Sequence, residues 1–167
     1  NRATNSKIVL GAGAVVNIET LWHEINSCEL SPDRLTIDPQ VLLITKRDIT
    51  SENANVKSMG STGQGVGAAT ARRILHRGVR SVPMARDVEK LRPYIRPANE
   101  VIEHACRNGK RLFLEGTQGT GLSLYHGDYP HVTSRDTTVA GCLAEAGISP
   151  NRVRKVIMVC RTYPIRV

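Results

Sequence analysis

The chain has 167 residues, 40% hydrophobic and 23% charged, proportions of an ordinary globular domain that exclude wholesale disorder. No apolar run is long enough for a membrane span or a signal peptide, so the expectation is a single domain (1–167), cytoplasmic, with no membrane partner. The net charge of +8 comes from 17 Arg and 6 Lys against 15 acidic residues, a balance that favours bidentate recognition of phosphate or carboxylate over diffuse polybasic attraction.

Residues 7–10 read as a short apolar strand. The tight turn Gly11-Ala12-Gly13 follows, and then a helix on which Val15, Ile18, Leu21, Trp22 and Ile25 recur at helical spacing. Ser31-Pro32-Asp33 breaks the chain, residues 41–44 form a second apolar strand, and residues 45–58, polar with few apolar anchors, read as a long surface loop. From Gly63, the residues Val66, Ala69, Thr70, Arg73 and Ile74 suit a helix that ends before Gly78, with Arg72, Arg73, His76 and Arg77 on its outward face.

Pro83, Pro93 and Pro97 punctuate the middle of the chain, and Val101, Ile102 and Ala105 mark a helix that stops at Asn108-Gly109. Residues 111–114 then read as a strand, 116–121 as a glycine loop and 125–136 as a polar loop containing Pro130. Residues 137–146 read as a helix and 156–160 as a final buried strand. Strands alternating with helices predict an α/β fold with a largely parallel sheet and flanking helices.

The six aromatic residues are scattered and form no stacking platform, so the basic charge does not point to a nucleic-acid partner. Cys28, Cys106, Cys142 and Cys160 are too far apart in sequence to write a zinc or redox motif, and no metal ligands are assigned. The start at Asn1 rather than Met suggests a piece of a longer polypeptide.

Three segments carry chemistry. Residues 60–67, GSTGQGVG, place four glycines and two hydroxyls before a helix. Backbone amides there can approach an anion, with Ser61, Gly63 and Thr62 as candidate phosphate contacts; the same pattern also suits a plain strand-to-helix turn. Residues 114–121, LEGTQGTG, follow a strand, where Gln118, both donor and acceptor, can read a base or sugar edge and Gly119 can offer its amide. This is not a Walker A loop, because the chain's only Gly-Lys pair, Gly109-Lys110, has His104 where the earlier glycine is required. Residues 126–138, HGDYPHVTSRDTT, are dense in hydrogen-bonding groups, more than an N-cap at Asp136 or Thr137 explains.

In order and spacing, GSTGQGVG, LEGTQGTGLSLYHGDYPHVTSRDTT and the closing RTYPIRV resemble the adenylosuccinate synthetase family, over nearly the whole chain from about Lys7. The resemblance implies the P-loop-NTPase-like fold of that family, incomplete here. It implies GTP-dependent joining of L-aspartate to IMP through a 6-phosphoryl-IMP intermediate, with Mg²⁺ on the phosphates. It carries IMP binding to Thr62, Gln118 and Thr133. The family also reaches across a homodimer with an arginine on the helix after the first loop; His76 and Arg77 compete for that position, with Arg72, Arg73 and Arg80 nearby, and Arg77 is chosen because a guanidinium fork suits phosphate.

Gln64 stands where the family usually has Arg, and Thr133-Ser134-Arg135-Asp136-Thr137-Thr138 stands for T-S-S-N-T-T. Such departures resemble the compact branch, whose viral relatives join aspartate to a 2-aminopurine nucleotide such as dGMP, some with ATP. The family's G-D-E-G-K-G-K phosphate loop and its N-N-A-G-H-T segment do not occur in these residues. No catalytic residue is therefore assigned, and the chain alone is expected to bind part of a purine nucleotide and to be inactive. Two other classes remain in view: a non-catalytic nucleotide-binding module, and a nucleic-acid binder driven by charge.

Overall fold

The computed structural model describes residues 5–56, 61–78 and 82–163. Gly60 and Arg80, and the last four residues of the closing RTYPIRV string, lie outside the described residues. Strand β1 (Ile8–Leu10) pairs in parallel with β3 (Leu35–Ile37), Ile8 against Leu35 and Leu10 against Ile37. Strand β2 (Val15–Val16) pairs in parallel with β4 (Leu42–Leu43). Helix α1 (Ile18–Ser27) starts at Asn17, whose side-chain oxygen accepts from the amides of Glu19 and Thr20, satisfying two of the helix's unpaired donors. The arrangement is α/β with parallel pairing, as the alternation of elements predicts.

Leu21 and Ile25, one turn apart on α1, pack on Leu35 and Ile37 of β3, with Val41, Ala85 and Leu91 completing one buried cluster. A second cluster joins Leu42 of β4 to Val82 and to Ala69 of helix α3 (Val66–Leu75). Two 3-10 turns, Ala85–Asp87 and Glu89–Tyr94, carry the proline-punctuated stretch to helix α4 (Ala98–Arg107). Helix α5 (Val139–Ala146) returns to the glycine turn near β1: the Gly13 amide donates to Glu145 O at 3.2 Å, and a Cβ on Gly13 would stand 2.5 Å from Glu145 Cβ. Only glycine allows that approach.

Several expectations are corrected. Val15 lies on strand β2, not on the first helix, because the carbonyl of Ala14 and that of Val16 accept from Leu42 and Ile44. The buried strand β3 was not expected at all. Residues 46–56 of the expected surface loop form helix α2 (Lys46–Val56); Lys57 and Ser58 lie outside the described residues. A reciprocal cap starts α2: Thr45 N and Oγ1 both donate to Asp48 Oδ2 at 2.7 Å, and the Asp48 amide donates to Thr45 Oγ1 at 3.3 Å.

Residues 111–114, expected as a strand, and 156–160, expected as a buried strand, make no ladder among the described residues. Phe113 is 80% and Val159 94% exposed. An apolar run records a tendency to be covered; a strand exists only where a partner backbone takes its hydrogen bonds.

Candidate functional site

The first loop, residues 61–67, takes its shape from α2. Gly63 and Gly65 both have positive φ, 63° and 84°, the left-handed region that glycine enters without strain. Ser61 Oγ donates to Glu52 Oε1 at 3.1 Å and accepts from the Gly63 amide at 3.2 Å. The other carboxylate oxygen of Glu52 accepts from Gly67 N at 2.9 Å and Ala68 N at 3.4 Å, two amides of the first turn of α3 that have no partner within the helix. Asn53 Nδ2 donates to Gly63 O at 3.4 Å. Both hydrogen-bonding capacities of the Ser61 hydroxyl are thus engaged within the protein, whereas the exposed Thr62 hydroxyl makes no hydrogen bond among the described residues.

The second loop presents Gln118 on strained backbone, with φ 74°, a region that a non-glycine residue enters only where its surroundings hold it there. Its Nε2 donates to Thr133 Oγ1 at 3.4 Å, so the glutamine of the second loop and the threonine of the third stand side by side. Gly119, also at positive φ, is exposed, and its carbonyl accepts from Thr137 Oγ1.

Two backbone bonds fold the third loop over the second, Thr133 N to Leu122 O at 2.8 Å and Leu124 N to Arg135 O at 3.0 Å. At the base, fully buried Ser123 donates to Asp136 Oδ1 at 2.8 Å and accepts from the amides of Tyr125 and His126. The Thr138 amide, first, and then the Ser123 and Thr138 hydroxyls hold the Asp136 carboxyl below its usual range by hydrogen-bonding its charged form. Thr138, rather than Asp136 or Thr137, is the N-cap of α5, accepting from Gly141 N at 3.2 Å; Asp136 instead caps Thr138.

Loops one and three meet where Gly67 abuts Ser134: a Cβ on Gly67 would stand 3.1 Å from Ser134 Cβ. Arg135 forms an ion pair with Glu145, its Nε donating to Oε1 at 3.0 Å, which ties the third loop to α5.

The expected outward face of the third helix is halved. Arg72 turns inward to Asp48, with Nη2 2.8 Å from Oδ2, and also donates to Leu43 O. Arg73 donates to the carbonyls of Ala12 and Gln40. His76 and Arg77 remain exposed beyond the end of α3. Burial pushes the Asp48 carboxyl up, but the Arg72 guanidinium and the Thr45 amide and hydroxyl outweigh it and hold the group below its ordinary value.

Reading for apolar periodicity missed Glu52, Asn53 and Asp48. The signal that could have found them is the Thr45-x-x-Asp48 cap, which announces a helix whose inward side is polar. Among the described residues, no group of three or more His, Cys, Asp or Glu is arranged to hold a metal ion. A shallow depression of about 380 Å³, lined by Lys7, Thr36, Arg96, Glu100, Val101 and His104, contains none of the loop residues. No helix of the structure is long and apolar enough to cross a membrane.

Comparison with known proteins connects these loops to a family. The family model for adenylosuccinate synthetase matches residues 2–89 and 84–167. The adenylosuccinate synthetase of Pyrococcus horikoshii is 37% identical over 169 residues, covering 98% of this chain and 49% of the relative. That of Methanococcus aeolicus is 35% identical over 168 residues with the same shares, so the chain spans about half the length of the curated relatives it matches. Among solved structures, the cyanophage S-2L succinoaminodeoxyadenylate synthetase, bound to dGMP and to dATP as an energy donor, superposes with a TM-score of 0.73 at 25% identity, over 87% of this chain and 42% of that one. The fully ligated adenylosuccinate synthetase of Plasmodium falciparum has a TM-score of 0.74 at 23% identity, over 87% of this chain and 45% of that one, a likeness of fold.

Proposed function

Because the chain belongs to the adenylosuccinate synthetase family, we propose that it forms a nucleotide-binding portion of a purine-biosynthetic ligase that joins L-aspartate to IMP. In that reaction the O6 of IMP takes the γ-phosphoryl group of GTP, releasing GDP. The aspartate amine then displaces the phosphate from C6 to give adenylosuccinate. The observation that carries this reading is the convergence of three sequence-separated loops: Gln118 against Thr133, and Ser134 beside Gly67 at the start of α3.

Within that convergence the chemistry divides by which groups are already engaged. Thr62 offers its hydroxyl and Gln118 an amide and a carbonyl, while Thr133 offers a hydroxyl that Gln118 orients. The amides of Gly63 and Gly119, the other expected phosphate contacts, already donate to Ser61 Oγ at 3.2 Å and to Thr117 O at 2.9 Å, and Ser61 shapes the loop from within. Arg77, exposed at the end of α3, suits the phosphate of a nucleotide held by the neighbouring subunit of a homodimer. GTP and Mg²⁺ are the phosphoryl donor and metal of the family's reaction. Among the described residues no three His, Cys, Asp or Glu side chains cluster, so no Mg²⁺ ligand is assigned to this chain and no step is routed through the metal. Cytoplasmic residence follows from the same reading.

A second reading, ligation of aspartate to dGMP with ATP or GTP, is favoured by the likeness to the cyanophage enzyme solved with dGMP and dATP and by Gln64 and Arg135 at positions that depart from the family's usual residues. Calorimetric titration with IMP and with dGMP separates the two. Gln118→Ala is expected to weaken the preferred nucleotide at least about tenfold, since it removes a bidentate partner. Absence of binding to either nucleotide by the wild-type protein would overturn both readings.

A further inference from the structure

We propose that Glu52 is a positioning residue for the nucleotide: it touches no ligand itself, but it fixes the one loop hydroxyl left available, that of Thr62. This rests on the nucleotide-binding reading above and deepens it. The carboxylate spans two elements. One oxygen takes the Ser61 hydroxyl at 3.1 Å and the other takes the amides of Gly67 and Ala68 at 2.9 and 3.4 Å, so the two ends of the loop are tied to one rigid helix. Thr62 lies between those ties.

Neighbouring contacts limit the ways the loop can move. Gly63 is hemmed in by Asn53, whose Oδ1 would stand 2.1 Å from an added Cβ, and Gly65 by Ile49 N at 2.9 Å. Both glycines sit at positive φ, so the loop has no room to relax by taking up side chains. Because Ser61 donates to Glu52 and accepts from Gly63 N, its hydroxyl is turned inward, and the adjacent Thr62 is left facing outward. Glu52 also takes up the amides at the start of α3, where an incoming anion would otherwise compete with the loop for the same donors. The ligand is thereby directed to Thr62 and, across Gly67 and Ser134, toward Thr133.

The test is a double-mutant cycle in the intact protein that carries these residues, read by calorimetric titration with the nucleotide that the wild type binds, with thermal unfolding followed in parallel. Glu52→Ala is expected to weaken binding about tenfold, and Glu52→Gln, which can accept from Gly67 N and donate to Ser61 Oγ, to recover most of that loss. In a Thr62→Ala background, Glu52→Ala is expected to cost less than about threefold, whereas in a Gln118→Ala background it costs its full factor. A merely structural role would lower the unfolding midpoint and weaken binding equally in both backgrounds, and that result would overturn the proposal. If Glu52→Ala does not fold, Ser61→Ala decides instead: a loss of about threefold or more is expected, and unchanged affinity counts against the proposal. Wild-type binding with unaltered affinity in Glu52→Ala sinks this inference alone, while a wild type that binds no purine nucleotide sinks the functional reading and the inference with it.

Discussion

The first hundred residues and the last fifty hold their shapes by different means. Among the described residues, every buried apolar side chain except Leu143 lies at or before Ala98, where α1, α3 and the four short strands cover one another. From residue 111 onward the chain is organised by hydrogen bonds: Ser123 and Asp136 at the base of a polar loop, Thr138 capping α5, and Glu145 pinned to Gly13 and Arg135. Burial of apolar area supplies stability without direction, whereas polar networks supply direction with little net stability. The candidate ligand groups sit at the seam, Thr62 on the first region and Gln118 and Thr133 on the second.

Three substitutions would break or sharpen that contrast. The largest effect is expected from Leu91→Ala, at a fully buried position of the first cluster: a loss of about 2–5 kcal/mol in denaturant unfolding, with protection of amides in α1 and β3 falling together. Equal loss from a variant in residues 111–114 would erase the distinction between the regions.

Next comes Asp48→Asn, which leaves the largely buried Arg72 guanidinium without its counter-charge and is expected to cost about 3 kcal/mol. The same carboxyl predicts a pH dependence. Its folded pKa lies below the unfolded value of about 3.9, so its contribution is fully present well above that pH and is lost as pH falls through the folded value. Asp136, also lowered, acts in the same direction in the second region. Unfolding free energies compared at pH 6, 4 and 3 should fall with acid, and less steeply in Asp48→Asn; a variant curve parallel to the wild type would contradict the assignment.

The smallest effect is expected from Phe113→Ser. An aromatic side chain exposed to this degree contributes within about 0.5 kcal/mol to unfolding, and the unfolding midpoint of the described chain should barely move. A loss of 2 kcal/mol or more, measured by the same denaturant titration, would mean that residues 111–114 are covered in solution.

Much of the fold was legible because burial leaves a mark on apolar spacing. Buried Leu21 and Ile25 announced α1, and on α3 the same spacing holds for buried Ala69, although Ile74 of that pattern is 56% exposed. Helix α2 was not legible in that way, since its inward positions, Asp48, Ile49 and Glu52, are mostly polar and pay their desolvation through Arg72, Thr45 and the amides of α3. A search for hydrophobic period passes over a helix whose helical period is written in carboxylates. The expected strands at 111–114 and 156–160 failed for the converse reason: their composition asks for cover that no described backbone provides.

The sequence by itself determined the α/β class, the family and the three loops that carry the candidate binding groups, because residue type, order and glycine placement are local properties of the chain. Only the tertiary structure decided which of those groups are free to act. Whether Ser61 or Thr62 faces outward, whether Arg72 or Arg77 remains available, and that Glu52 shapes the first loop all depend on which hydrogen bonds are already taken. Satisfaction of a polar group by a partner distant in sequence is a property of the fold, and the chain's local pattern does not record it.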